Sequence, residues 1–155
     1  MPAPGRAIPA AAIGLAGLGL AGLAWLARRN IAIVDVVGES MLPTLSSGDR
    51  VLVRRAGIGQ LRPGAVVVVE KPARDGSWIM PLSRWPAGER ELMIKRVAAV
   101  PGDRCPDVLP GAAAVPAGQF AVIGDNPARS YDSRQLGYFP AERLIGVVIG
   151  QLRRG

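Results

Sequence analysis

The chain has 155 residues, 49% of them apolar and 20% charged, which is the composition of one folded domain and not of a disordered segment. It contains no histidine and one cysteine, Cys105, which excludes Ser-His-Asp and Cys-His catalysis, an internal disulfide and a histidine- or cysteine-cluster metal site. The formal net charge of +7 is spread out and not interleaved with aromatic residues, so it argues against nucleic-acid binding and favours attraction to anionic lipid headgroups.

The first segment is apolar and long enough to cross a membrane. Ile8 to Ala27 contains no charged residue and is flanked by Arg6 and Arg28. About twenty helical residues at about 1.5 Å each span about 30 Å, the thickness of the hydrocarbon layer. We therefore expect residues 1–29 to form a membrane anchor with one transmembrane helix. The alternative is a cleaved secretory signal, which we disfavour because no polar region precedes the candidate cleavage site at Gly22-Leu23-Ala24.

Residues 30–155 are predicted to form a mainly β domain. The 20 glycines and 14 prolines favour frequent turns between short strands. Runs rich in β-branched and apolar residues predict strands at Ile31–Val37, Val51–Val53, Ala65–Glu70, Leu92–Val100, Phe120–Ile123 and Leu144–Leu152. Because Ala65–Glu70 is apolar without alternation, we expect that strand to be covered on both faces.

Residues 72–91 are predicted to be a loop-like insertion between two strands. They carry Trp78 and Trp85, two of the three tryptophans. These side chains could cap the core or could dip into the bilayer interface, where tryptophan is favoured. The sequence leaves both alternatives open.

Two short stretches hold the candidate catalytic residues. Ser40 lies in a turn, Gly38–Leu45, and Lys95 lies in an apolar run, Met93–Val97. A serine hydroxyl is a weak nucleophile until a base takes its proton, and without histidine the base must be another group. A lysine can act only when neutral, and burial lowers its pKa from the reference value of about 10.4. Taken singly, each could be an ordinary turn serine or a solvated lysine, so the hypothesis depends on the pair.

Four stretches of the chain follow one another in a recognisable order. They are Gly38–Leu45, Arg62–Val68, Ile94–Asp103 and Gly124–Gly137. This set resembles the nucleophile, second, lysine and C-terminal boxes of the type I signal peptidases, the serine–lysine leader peptidases. With the anchor, the resemblance covers nearly the whole chain. It implies a signal-peptidase-like antiparallel β catalytic domain over residues 30–155.

The resemblance also implies roles for individual residues. Ser40 would attack the scissile carbonyl, and Lys95 would be the general base for acylation and then activate water for deacylation. The backbone N–H of Ser40 would be one donor of the oxyanion hole. Ser130, Asp132, Arg134 and Met41 are the supporting residues. Ser130 matches the serine that hydrogen-bonds the lysine, and Asp132 and Arg134 match an ion pair that braces the site.

This chain departs from the family's pattern at two positions beside the nucleophile. Gly38 stands where some bacterial members have a serine, so the side-chain half of the oxyanion hole is missing or supplied elsewhere. Glu39 adds a carboxylate next to Ser40. A carboxylate pointing inward would raise the lysine pKa, so we expect the Glu39 side chain to point outward.

The implied function is that of a membrane-bound serine endopeptidase that removes N-terminal signal peptides from exported proteins and cleaves after small residues. Its partners would be precursor proteins and membrane lipids, without nucleic acid, cofactor or metal. The catalytic domain would lie on the extracytoplasmic side of the plasma membrane. The oligomeric state and the natural precursors stay open.

Three alternatives are weighed against this interpretation. A maturation protease dedicated to one precursor would use the same chemistry. The stretch between the lysine box and the C-terminal box is short, so we expect the family's larger accessory region to be nearly absent, which mildly favours restricted substrates. A self-cleaving serine–lysine repressor would need an N-terminal DNA-binding helix-turn-helix, where this chain has an apolar segment. A non-catalytic membrane scaffold is disfavoured because Ser40 and Lys95 are both present.

Overall fold

The computed structural model describes residues 30–73, 77–78, 91–109 and 114–152. The predicted anchor, residues 1–29, lies outside the described residues, as does most of the predicted insertion, including Trp85. Of the helices in the described ranges, none has the length and apolar character needed to cross a membrane. The residues from Ala32 onward form one compact unit.

The described part of the chain is mainly β, as predicted. Its strands are β1 (Ile31–Asp35), β2 (Arg50–Arg55), β3 (Val66–Glu70), β4 (Leu92–Ala99), β5 (Gln119–Ile123), β6 (Phe139–Pro140) and β7 (Leu144–Leu152). Short 3₁₀ turns cover Ile58–Gln60, Pro127–Arg129 and Ala141–Arg143, and helix α1 covers Ser133–Leu136. Every predicted strand is present, with ends that move by two residues at most. Strand β6 and the short helices were not predicted, because two to four residues are too few to establish a periodicity.

The seven strands form one sheet in the order β1-β2-β7-β3-β4-β5-β6. Strand β3 lies at its centre and pairs antiparallel with both β4 and β7. Val67, Val68 and Val69 are all 0% exposed, which confirms that this strand is covered on both faces. Each fully buried valine contributes about 1.5–3 kcal/mol relative to an exposed one, so β3 is a main source of stability.

Of the three apolar clusters among the described residues, two include side chains of β3. The first contains Leu61, Val67, Val69, Val97, Phe120, Val122, Phe139 and Leu144. The second contains Val36, Met41, Leu45, Val51, Val53, Val68 and Ile145. Since successive side chains of a strand point to opposite faces, neighbouring valines of β3 join different clusters. The second cluster therefore ties the turn that follows β1 to the centre of the sheet.

Trp78 packs against the first cluster. Its ring meets that of Phe139 edge-on with the centroids 5.7 Å apart, and the Arg143 guanidinium lies 4.9 Å from its centroid. Arg143 in turn forms a buried ion pair with Glu70 at 2.9 Å. For Trp78, this contact supports the alternative in which the insertion caps the core.

Candidate active site

A surface turn anchored in the core by three apolar side chains presents Ser40. The chain leaves β1, and Val36, Met41 and Leu45 bury their side chains in the second cluster, at 4%, 2% and 3% exposure. The Leu45 N–H donates to the Met41 carbonyl at 2.9 Å, which closes the turn. Gly38 opens it with a φ of +93°, a left-handed conformation that glycine adopts without strain. Met41 thus acts as the apolar anchor of the segment that carries Ser40.

Strand β4 brings Lys95 to the same place. Lys95, Val97 and Ala99 alternate with more exposed residues, so they share one face of the strand. Lys95 lies opposite Val67 of β3 and is only 4% exposed. Its Nζ is 2.8 Å from the Ser40 Oγ. The structure therefore joins the two residues singled out in the sequence by a direct hydrogen bond.

Burial lowers the pKa of Lys95 from its usual value. A charged ammonium loses its hydration when it is enclosed, so the neutral amine is favoured. The carboxylate of Asp132 opposes this by raising the pKa, and the guanidinium of Arg134 lowers it again. Because Arg134 pairs with Asp132, its positive charge offsets part of the increase in the Lys95 pKa that the carboxylate causes.

Asp132 is the hub of the supporting residues and is fully buried. Its carboxylate accepts hydrogen bonds from the Ser130 hydroxyl at 2.5 Å, the Gly124 N–H at 2.8 Å and the Arg134 guanidinium at 2.7 and 2.9 Å. Burial alone would raise the pKa of Asp132, but these donors outweigh it and hold the pKa at about 2. Asp132 also caps helix α1. The ion pair of Asp132 with Arg134 has the arrangement expected from the sequence.

Ser130 differs from expectation. The resemblance implies that the Ser130 oxygen accepts a hydrogen bond from the lysine ammonium, but in the structure Ser130 donates to Asp132 and accepts nothing from Lys95. Among the described residues, Lys95 Nζ hydrogen-bonds to Ser40 alone. Ser130 is therefore a hydrogen-bond donor to Asp132 and is not bonded to Ser40 or Lys95.

Gly124 separates Ser130 from the turn of Ser40. A Cβ built on Gly124 would lie 2.2 Å from the Ser130 Oγ and 2.6 Å from the Ser40 carbonyl oxygen. Only a residue without a side chain fits between them. The sequence analysis included Gly124 in a turn but assigned it no role. The feature of the sequence that could have indicated a role is the position of Gly124 between the buried strand β5 and the polar stretch Ser130–Arg134.

The sequence analysis also did not predict the hydrogen bonds that connect the turn of Ser40 to the turn after β5. Because neighbouring strand residues point to opposite faces, Arg96 lies on the other side of β4 from Lys95, and there its guanidinium binds Asp125 at 2.6 and 2.8 Å. Asp125 also accepts from the Thr44 hydroxyl at 2.5 Å. The network ties the end of the Ser40 turn to the turn after β5. Strand alternation correctly predicts the side of Arg96 but cannot predict which loop covers that side.

The Glu39 side chain points outward, as expected. It is 57% exposed and lies 3.5 Å from the Arg129 guanidinium. The carboxylate therefore interacts at the surface with a cation and not with the buried lysine.

A groove leads to Ser40 and Lys95. It encloses about 480 Å³ and is lined by residues 34–41 on one side and by residues 92–95 of β4 on the other. Three strands separate β1 from β4 in the sheet, so the sheet must curl for both to line one groove. Leu92–Lys95 pairs with β3 on one edge, while β5 joins β4 only from Arg96 onward. The groove is therefore bordered by a strand edge, and its lining combines apolar side chains with the charged residues Asp35, Glu39, Lys71 and Arg129.

Together, the fold and the site define a mainly β protein in which a turn serine is paired with a buried lysine at the end of a groove. The family model described as "Signal peptidase, peptidase S26" matches residues 10–106 and 105–151. The chain belongs to this signal peptidase family.

Individual relatives carry the same name. Signal peptidase I of Leptolyngbya laminosa is 30% identical over 135 residues, which cover 72% of this chain and 63% of that protein. The probable signal peptidase I-1 of Synechocystis sp. is 29% identical and covers 72% of this chain and 65% of its own length. Signal peptidase IB of Staphylococcus aureus is 26% identical over 155 residues and covers 73% of each. The chain thus spans less than two thirds of the length of the first two relatives.

Proposed function

We propose that this protein is a serine endopeptidase that removes signal peptides from precursor proteins, with Ser40 as nucleophile and Lys95 as general base. The observation that carries the proposal is the 2.8 Å contact between Ser40 Oγ and a lysine amine that is 4% exposed. Membership of the signal peptidase family supports the substrate class.

The geometry supports a two-step acyl transfer. The neutral Lys95 amine takes the Ser40 proton as Oγ attacks the scissile carbonyl carbon, and the oxyanion is stabilised by the Ser40 N–H. When the intermediate collapses, the ammonium returns its proton to the leaving amine. Lys95 then takes a proton from water as the water attacks the acyl-serine ester, and the ammonium returns this proton to the Ser40 Oγ as the acid product leaves. Behind the lysine, the carboxylate of Asp132 raises the pKa of Lys95 and the guanidinium of Arg134 lowers it. Ser130 contributes by donating a hydrogen bond to Asp132.

The groove supports binding of an extended peptide. An extended chain could add to the edge of Leu92–Lys95 that no described strand occupies, and the apolar residues of the lining would accept small residues before the cut, such as the Ala-X-Ala pattern of the family. The apolar, uncharged segment Ile8 to Ala27 supports a single membrane anchor. The proposal therefore places the catalytic domain at the membrane, on the extracytoplasmic side, with precursors and lipids as partners.

Cleavage of an Ala-X-Ala precursor by the full chain in membranes tests this function. Ser40→Ala and Lys95→Met should each abolish cleavage while the variants stay folded. Ser46→Ala, which alters an exposed serine of the next turn, should cleave like the native chain. Substantial cleavage by either of the first two variants would overturn the assignment. A panel of unrelated precursors would separate general processing from processing of one dedicated precursor.

The pH profile tests Lys95 as the base. Because burial lowers the pKa of Lys95, kcat/KM should rise with pH and level off below about 10.4, the reference value for lysine. Activity that is independent of pH over the neutral to alkaline range would contradict a lysine base.

A further inference from the structure

One residue, Asn126, holds the backbone on both sides of Ser40. Its side-chain amide nitrogen donates to the Glu39 carbonyl at 3.1 Å, and its backbone N–H donates to the Ser40 carbonyl at 3.0 Å. The Glu39 carbonyl also accepts from the Leu42 N–H of its own turn at 3.2 Å. The two peptide groups next to the Ser40 Cα are thus fixed by a residue from the turn after β5.

The Glu39 carbonyl belongs to the same peptide group as the Ser40 N–H. A trans peptide is planar, so its C=O and N–H point in opposite directions and turn together. Holding the Glu39 oxygen therefore fixes the direction of the Ser40 N–H. Among the described residues, no acceptor takes this N–H, although Ser40 lines the groove. A donor reserved for a bound oxyanion must be unused in this way.

The side chain of Asn126 is not engaged locally. Asn126 directly precedes the 3₁₀ turn Pro127–Arg129, a position where asparagine ordinarily caps a helix, but it makes no side-chain cap hydrogen bond. It reaches instead across to the turn of Ser40. Gly38 has no side chain that could donate a second hydrogen bond to the oxyanion. Stabilisation of the oxyanion therefore depends more strongly on the direction of the Ser40 N–H.

We propose that Asn126 is a positioning residue that aims the Ser40 N–H at the oxyanion of the tetrahedral intermediate. The inference rests on the proposed peptidase function. Asn126 hydrogen-bonds the two peptide groups beside the Ser40 Cα, and among the described residues it has no hydrogen bond to Lys95 or to Ser40 Oγ, so it acts on transition-state stabilisation and not on the base.

Kinetics of Asn126→Ala and Asn126→Leu test the proposal, and the second variant keeps the volume while removing the donor. For an Ala-X-Ala peptide, kcat should fall by about 10- to 100-fold, less than the 10²–10³ lost when an oxyanion donor is itself removed. KM and the pH midpoint of the reaction should not change. A peptide aldehyde, which forms a tetrahedral adduct with the serine, should lose affinity by a similar factor.

Thr44→Val is the matched control. It removes the hydrogen bond that Thr44 donates to Asp125 between the same two turns, and the one that Thr44 accepts from Arg96, but leaves the Glu39–Ser40 peptide untouched. Its kcat should stay close to the native value. An equal loss of kcat in Thr44→Val would show that Asn126 merely ties two loops together.

Other outcomes separate this inference from the function on which it rests. If the native chain cleaves the peptide and both Asn126 variants keep its kcat, the positioning role is wrong and the peptidase assignment stands. A fall in kcat accompanied by a moved pH midpoint would assign Asn126 to the lysine and also overturn the inference. If the native chain neither cleaves the peptide nor binds the aldehyde, the function and the inference fail together.

Discussion

Gly124→Ala should disable the site by adding a single carbon atom. The new Cβ would lie 2.2 Å from the Ser130 Oγ, 2.6 Å from the Ser130 Cβ and 2.6 Å from the Ser40 carbonyl oxygen, whereas real Cβ contacts essentially never fall below 3.0 Å. Gly124 has no positive φ, so alanine strains the contacts and not the backbone itself. The neighbours must therefore withdraw.

The displacement sets the expected magnitude. Ser130 and the turn of Ser40 together must yield by about 1 Å, and a misplacement of that size in an active site costs on the order of 10² in rate. Overpacking of a buried position also costs about 1–3 kcal/mol of stability. Gly124 is buried and donates its N–H to Asp132, so the displacement reaches both sides of the site.

Cleavage of a fluorogenic Ala-X-Ala peptide and thermal unfolding of the same preparations measure the two effects. Gly59→Ala is the control, because a Cβ there meets nothing within 4 Å and the φ is not positive. It should keep native activity and melting temperature. A Gly124→Ala variant with native kcat and native melting temperature would refute the close contact on which the reasoning depends.

Two further predictions concern stability. Because the pKa of Lys95 is lowered on folding, the unfolded chain binds more protons between the folded pKa and about 10.4, so the free energy of unfolding should rise with pH in that window. Lys95→Met should remove this rise and make the protein more stable at neutral pH. Asp132 has a folded pKa of about 2, so its stabilisation, on the order of 2 kcal/mol, should be present above about pH 4 and lost as the pH falls toward 2. Asp132→Asn should be less stable at pH 7 and should lack that acid-dependent loss.

Denaturant unfolding across pH measures both. A Lys95→Met variant that is no more stable than the native chain at pH 7 would contradict the burial of a costly charge. Equal acid sensitivity of Asp132→Asn and the native chain would mean that other carboxyl groups dominate acid unfolding.

The strands and the central pair could be predicted from local features. Runs of β-branched residues such as Val66–Val69 favour strands wherever they lie, and the absence of histidine leaves few bases for a serine nucleophile. Lys95 was a candidate because its apolar sequence neighbours predict a desolvated amine. These are properties of residue type and spacing, which the chain carries before it folds.

Contacts between distant turns could not be predicted in this way. The ion pair of Arg96 with Asp125 and the hydrogen bond of Asn126 to Glu39 join segments that are distant in the sequence and meet only when the sheet curls. Short polar turns have no periodicity that would set the direction of a side chain.

The sequence by itself determined the strands, the identity of the serine and lysine, and the family resemblance, because these depend on residue chemistry within short windows. Only the tertiary structure decided that Lys95 is buried from solvent, that Gly124 must lack a side chain and that the Ser40 N–H is held in one direction. Burial and close approach are properties of the packed sheet, and no single stretch of the chain contains them.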